Sequence, residues 1–234
     1  PAERREATRA EWVPFVGIDA EGNAGIVGVP RDSWVPIPGR GRSKINAALA
    51  LGGPDLMMET FRDLTGLDFD GYLLTGFAGF EGLIEVLGGL EIEVPRPFKD
   101  SAAKADIEAG LQVLDPKQAL AMARTRKTLP RGDFERQYHG GLILQAAQAM
   151  LRARGPLALP GLLAGARPHV STNFWPGELL VLAAAVIRVD PAKVVNVVAP
   201  GGTGSVGGAS VVHLSDSATS LWEDLADGSL EPPG

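Results

Sequence analysis

Two apolar runs near the N-terminus constrain this chain more than anything else in it. Residues 12–19 and 24–30 are nearly continuous in apolar side chains, and Glu21-Gly22-Asn23, a turn-forming trio, separates them. Strands of this kind are buried on both faces, so the fold must place a layer above and a layer below them. The remaining sequence supplies those layers. Helical spacing is predicted from about Lys44-Ile45-Asn46 to Leu51, where Gly52-Gly53-Pro54 stops it, and again over 55–64 and 77–87. Asp115-Pro116 reads as an N-cap followed by a first-turn proline. Further helices are predicted over 134–154, 176–188 and 217–225, and strands over 69–74, 90–95, 194–198 and 210–214. Residues 36–41, 101–110, 155–167 and the glycine-rich 201–208 read as loops. Strands alternating with helices indicate an α/β sandwich around a mixed sheet. With no internal repeat and no linker, residues 10–234 are expected to form one domain behind a charged, flexible lead-in at 1–9.

Composition narrows the function classes. The 234 residues are 45% hydrophobic and 21% charged, enough apolar material for a full core. A net charge of −6 argues against a general nucleic-acid binder, which needs a basic face. The absence of cysteine excludes disulfides, thiolate metal sites and a cysteine nucleophile. The longest apolar run, 179–187, is far short of the roughly 20 residues that span a bilayer. The chain opens on Pro1 rather than Met, and the expectation is that an N-terminal anchoring helix has been removed.

Two segments carry chemistry. Val29-Pro30-Arg31-Asp32-Ser33-Trp34 closes a buried strand, where α/β folds place ligand-contacting groups; the plainer alternative is that Arg31 and Asp32 pair with each other or cap a turn. The second segment runs from Ala123 to Gln137. It holds Arg124, Arg126, Lys127, Arg131 and Arg136, five basic groups within thirteen residues of an acidic chain. If the segment is extended, Arg124 and Arg126 share one face, and Arg131 and Arg136 flank a turn at Pro130 and Gly132. Arg outnumbers Lys four to one here. Forked guanidiniums suit phosphate oxygens, and several converging ones repel one another without an anion between them. A polyanion site is the favoured reading over a solvated loop neutralised by Asp133 and Glu135. By contrast, residues 201–208 lack the Lys-Ser/Thr ending of a phosphate loop. His139, His169 and His213 have no metal-ligand spacing, and His213, Ser215 and Asp216 lack a nucleophile turn.

These motifs resemble the LytR-CpsA-Psr family. Val29 to Trp34 is similar to its strand-end PRD motif, Lys44-Ile45-Asn46-Ala47-Ala48 to the KINAA that follows, and Leu51-Gly52-Gly53 to a short aromatic-Gly-Gly turn. Val86-Leu87-Gly88-Gly89-Leu90-Glu91-Ile92-Glu93-Val94-Pro95 is similar to its LGG-x-E-x-x-VP stretch, and Arg124 to Arg136 to its R-x-R-K…RGDF-x-R motif. The order is kept over residues 10–151. The resemblance implies an extracytoplasmic, membrane-tethered phosphotransferase. Such an enzyme takes a glycopolymer (a teichoic acid, arabinogalactan or capsule chain) from a polyprenyl-pyrophosphate carrier and joins it to a peptidoglycan hydroxyl, assisted by Mg²⁺ or Mn²⁺. By position, Arg31, Arg124, Arg126 and Arg136 would hold the pyrophosphate, with Lys44, Arg131 and Gln137 as further contacts. Asp32 and Glu11 would bind the metal, and Asp133 would orient the arginines or act near the acceptor. The lipid tail would lie near Phe61, Phe77, Phe80 and Leu83, where core packing is the alternative. Transfer from a pyrophosphate is mainly positioning and charge stabilisation, which arginines and a hard cation on Asp32 supply. Two positions depart from the pattern. Glu11 stands where the family has Asp, and Gly140 stands where it has Gln, so that contact is lost or passes to Gln137 or His139. A polyprenyl-pyrophosphate pyrophosphatase and a non-catalytic polyprenyl-lipid or wall-polymer binding protein are the competing readings.

Overall fold

The computed structural model describes residues 12–101, 104–125 and 129–230. Its elements, in chain order, are β1 (Pro14–Ile18), β2 (Ala24–Gly28), β3 (Trp34–Ile37), β4 (Gly41–Lys44), α1 (Ala47–Thr65), β5 (Leu73–Leu74), α2 (Phe77–Val86), β6 (Leu90–Val94), β7 (Phe98–Asp100), β8 (Ala105–Ile107), β9 (Gly110–Leu114) and α3 (Pro116–Arg124). They continue with α4 (Asp133–Arg154), α5 (Leu159–Ala166), β10 (Ser171–Thr172), α6 (Pro176–Arg188), β11 (Val194–Val198), β12 (Gly201–Val206), β13 (Ala209–Leu214) and α7 (Ser217–Asp227).

Strand β2 is buried along its whole length. It pairs antiparallel with β1 and parallel with β11, which makes the central sheet mixed. Alternation of side chains sorts its faces. Phe15, Val27, Val29 and Val197 join Met57 and Phe61 of α1 and Ala218 and Trp222 of α7 in one core cluster. The other face receives α4. There a Cβ on Gly28 would stand 2.8 Å from the Cβ of Gln137, and one on Gly141 would overlap the amide of Asn196, so helix and sheet meet almost backbone to backbone. Beyond α4 lies a second cluster built on Ile84, Leu90, Ile92, Val94, Leu114, Met122 and Ile143. Helix α4 is therefore covered on both sides, which is why it buries residues all round rather than along one stripe.

The α/β architecture follows the sequence pattern, and β6, β11, α6 and the Asp115 cap of α3, with its capping box, lie where expected. Elsewhere the structure differs. Strand β1 is an edge with Val16 exposed, because only β2 pairs with it. Residues 36–41 contribute to the β3–β4 hairpin, and of 101–110 the segment Ala105–Ile107 is the strand that pairs with β7 while Gly110 begins β9. Only Leu73–Leu74 of 69–74 is strand. Residues 155–167 coil into a 3-10 turn and α5, since a proline at the start of a helix lacks only a donor the helix would not use. The glycine-rich 201–208 forms β12 and its turn. Gly207-Gly208 take the positive φ angles of a two-residue hairpin loop, and Val211 and Val212 bury the other strand.

His139, on α4, is 1% exposed and stacks on Phe98 with ring centroids 5.3 Å apart. Burial, reinforced by the nearby Arg96 charge, pushes its pKa down from 6.5 to about 4. An unfolded chain takes up this proton below about pH 6.5 while the folded one does not, so the contribution is complete above that pH and is lost as pH falls towards 4. Urea unfolding should show stability dropping by up to about 3 kcal/mol over that window. His139→Gln should flatten the slope; an unchanged slope would assign it to other groups. At the sheet, Gly141→Ala should destabilise by roughly 1–3 kcal/mol through overpacking, the reverse of the gain alanine gives on an exposed helix. Asn196→Ala in the same chain should recover part of the loss.

Candidate active site

The site begins where β2 leaves the sheet. Ser33 turns the chain by donating both its backbone N–H and its Oγ–H to the Pro30 carbonyl, at 3.0 and 2.7 Å. Three backbone donors then pin the turn: Asn46 to the Arg31 carbonyl at 3.2 Å, Val212 to that of Asp32 at 2.9 Å, and Ile45 to that of Ser33 at 2.8 Å. Arg31 and Asp32 are thus set by the residues before α1 on one side and by β13 on the other. The β3–β4 pairing places Lys44 opposite Trp34, and from there Lys44 Nζ lies 3.1 Å from Asp32 Oδ1.

Helix α4 enters from the opposite side. Its first residue, Asp133, accepts from the Arg31 backbone N–H at 2.9 Å through Oδ2 and from the Arg136 guanidinium through Oδ1. Both members of this ion pair are buried, Arg136 at 1% exposure and Asp133 at 6%. A carboxylate in the first turn also lies favourably in the helix dipole. Arg31 and Arg136 are so held about one carboxylate, beside the Asp32–Lys44 pair.

The remaining candidates are placed differently. Arg124 is helical rather than extended: the Asp115 capping box and the buried Ala119, Met122 and Ala123 carry α3 to its end at that residue. Its guanidinium lies 4.4 Å from the centroid of the Phe77 ring. Arg131 is exposed, over the Phe134 ring at 5.6 Å. Gln137 is fully buried, and its Oε1 accepts from the Val13 N–H at 3.4 Å. Glu11 and Arg126 lie outside the described residues. The space that a side chain at Gly140 would need holds the Trp12 indole, so the missing glutamine is matched by an aromatic ring from the lead into β1. Arg96, paired with Glu135 in the first turn of α4, adds a guanidinium that sequence reading did not single out. It stands alone between two prolines, outside the Arg-rich segment. Among the described residues no three His, Asp or Glu side chains gather as a metal site.

The four apolar candidates separate. Phe61 is core, 4% exposed and edge-on to Phe15 at 4.3 Å. Phe77, Phe80 and Leu83 are half-buried on α2. Helices α5 and α6, both strongly apolar, continue this lining: α5 fully buries only Leu159 and α6 fully buries nothing. Apolar helices normally disappear into a core, and that imbalance is a signal the sequence held only as the run 179–187.

The LytR_cpsA_psr family profile matches residues 16–226. The probable cell wall biosynthesis protein LcpB of Corynebacterium glutamicum is 37% identical over 128 residues, 55% of this chain and 31% of that protein. The polyisoprenyl-teichoic acid–peptidoglycan teichoic acid transferase TagV of Bacillus subtilis is 31% identical over 166 residues, 67% of this chain and 42% of that protein. The chain spans less than half the length of either relative. The crystal structure of B. subtilis TagV superposes with a TM-score of 0.83 at 25% identity, covering 97% of this chain and 91% of the other. A match that runs from within β1 to the last turn of α7 takes in both halves of the Arg31–Asp133–Arg136 cluster, and the chain belongs to the LytR_cpsA_psr family.

Proposed function

We propose that this chain transfers a glycopolymer from a polyprenyl-pyrophosphate carrier to a peptidoglycan hydroxyl on the outer side of the cytoplasmic membrane, as a membrane-tethered protein. The observation that carries the reading is the Asp133 carboxylate, which ties the Arg31 main chain to the Arg136 guanidinium and so sets both arginines at one place before any substrate arrives. In the reaction the acceptor oxygen attacks the phosphorus that bears the polymer. The P–O–P bond breaks, polyprenyl phosphate leaves with the bond's electron pair, and the hydroxyl proton passes to a base. Charge grows on the bridging and non-bridging oxygens, and prepositioned guanidiniums stabilise it without reorganising. Arg31, Arg136, Arg124, Arg126 and Lys44 supply that charge, with Arg131 at the rim. Both oxygens of Asp133 already accept hydrogen bonds, which suits it to orienting the arginines; Asp32, paired with Lys44, is the other carboxylate candidate near the acceptor proton.

A divalent cation fits this donor set, because Mg²⁺ or Mn²⁺ on a phosphate substrate needs only one or two carboxylates besides the phosphate oxygens. Asp32 and Glu11 would hold it, and it would neutralise part of the pyrophosphate charge. The name of TagV, a transferase acting between polyisoprenyl-teichoic acid and peptidoglycan, supports the same donor and acceptor classes here. Arg124 stacked on Phe77 marks the border between charged head and apolar tail, and the half-buried lining of α2, α5 and α6 supports a path for the tail.

Incubation with a lipid-linked oligosaccharide, Mg²⁺ and peptidoglycan fragments tests the reading. Transfer product is expected; phosphate release alone would indicate a pyrophosphatase, and binding without turnover a carrier protein. Asp133→Asn, which keeps a hydrogen-bond acceptor for Arg31 but removes the charge facing Arg136, should lower kcat/KM by about 10²–10³. Phe77→Asp should raise KM for long-chain donors while sparing a donor with a short prenyl group; equal loss on both would place the tail elsewhere.

A further inference from the structure

Helix α6 is built unlike an ordinary surface helix. From Leu179 to Ile187 it carries nine apolar residues without a break, yet none of its residues is fully buried. Its inner side packs on α4 and α5. Its outer side leaves Val181 69% and Leu180 46% exposed, and at its N-terminal end Trp175 is 76% exposed. Leu73, 59% exposed, is tied to the segment that leads into α6: β5 pairs with β10, setting Leu73 opposite Thr172, and Asn173 Oδ1 accepts from the Tyr72 N–H at 2.9 Å. No charged side chain interrupts α6 between Glu178 and Arg188, and Glu178 is engaged in capping the helix at the Trp175 N–H. Large apolar side chains left exposed together on one helix and its lead-in mark a site of association.

We propose that this face, Leu73, Trp175, Leu180 and Val181, rests on the interfacial layer of the lipid bilayer and brings the apolar lining of α2, α5 and α6 to the membrane surface. At 13 residues, about 20 Å long, α6 is too short to span a bilayer, and no described helix is long and apolar enough to do so. A helix of this length whose outer side is apolar between the terminal charges Glu178 and Arg188, with a tryptophan at its end, suits a position in the plane of the interface. Choosing a bilayer over a second copy of the chain rests on the lipid-carrier reading. A polyprenyl tail leaves the hydrocarbon at a cost of about 0.8 kcal/mol per exposed CH₂, so its protein lining must open where the membrane ends.

The experiment uses phosphatidylcholine vesicles free of polyprenyl lipid, some with bromine on the acyl chains. Trp12 and Trp34 are half-buried and Trp222 is buried, so Trp175 dominates any environmental change in fluorescence. The chain should sediment with the vesicles, its emission should move to the blue, and brominated lipid should quench it. Trp175→Ser and Val181→Asp should each weaken binding roughly tenfold or more with the far-ultraviolet circular dichroism unchanged. Transfer from a vesicle-borne donor should fall in these variants, while transfer from a soluble short-prenyl donor stays as in the wild type. Wild-type protein left in the supernatant with unmoved emission overturns the proposal. So does a dimer in sedimentation equilibrium that Val181→Asp dissociates, which would make α6 a contact between copies. Failure of transfer from both donors would count against the phosphotransferase reading alone, because vesicle binding decides the docking separately.

Discussion

Asp133 holds the structure together at the point where the candidate site residues Arg31, Asp32 and Arg136 gather. One carboxylate accepts from the backbone of Arg31 and from the guanidinium of Arg136, bridging a strand end and a helix start 102 residues apart in the chain. A guanidinium as deeply buried as that of Arg136 carries a desolvation penalty of several kcal/mol, and removing its partner from such a pair typically costs 3–5 kcal/mol. The clamp therefore fixes more than a side chain. It sets the height of α4 over β2, and that height brings Gln137 onto Gly28, the Trp12 indole against Gly140 and Asn196 against Gly141. Small residues at these positions permit a helix–sheet approach closer than ordinary side chains allow, and the approach keeps the first turn of α4 beside the Arg31–Asp32 turn.

How much of this was legible in the sequence depended on whether the determining contacts were local. The cap of α3, the limits of α6 and β11 and the alternation in β6 were readable because neighbouring residues decide them. The hairpins were not. Residues 201–208 look like a loop until Val211 and Val212 are known to bury the partner strand, and the bond from Val212 N–H to the Asp32 carbonyl is a contact between segments 180 residues apart. The Arg-rich segment was visible as chemistry but not as geometry. Arg124 ends a helix, which separates it from the arrangement that simple alternation suggests. Arg96 escaped notice because an isolated arginine gains meaning only beside Glu135 and His139. The pair formed by Trp12 and Gly140 also illustrates the limit: a glycine in place of glutamine reads as a loss until the ring that fills the space is located.

The two core clusters divide the work. The one formed with α1 and α7 includes four aromatic rings, with Phe15 in contact with Phe61, Phe69 and Trp222 and Phe61 also with Phe69, and it secures the sheet. Rings in such contact add about 0.5–1.5 kcal/mol per pair beyond area burial, which fits a purely structural role for Phe61. The other cluster supports α2, α3 and α4 from the opposite side. Outside it the packing becomes incomplete: α5 and α6 leave most of their apolar surface half-covered. Residues that forgo this burial each sacrifice part of the roughly 1.5–3 kcal/mol available to a large apolar side chain, so the stability of this end of the molecule is lower than its composition would allow.

That sacrifice and the Asp133 clamp match what the two halves of the proposed amphipathic substrate would each require. A lipid carrier ends in a pyrophosphate that requires fixed positive charge and begins in a tail that requires apolar cover, and one site must provide both without letting either spoil the other. Positive charge gathered near an apolar lining would be drawn towards solvent or would neutralise itself against stray carboxylates. Here the arginines are anchored before substrate binds, Arg31 through its backbone and Arg136 through its guanidinium. At the border, Arg124 lies over the face of Phe77, a contact in which the same ring meets a cation on one side and offers carbon to the lining on the other. The charged end is anchored through α4, while α5 packs on α2 and α6, and α6 on α4 and α5, so the half-covered apolar end is supported separately from the arginines.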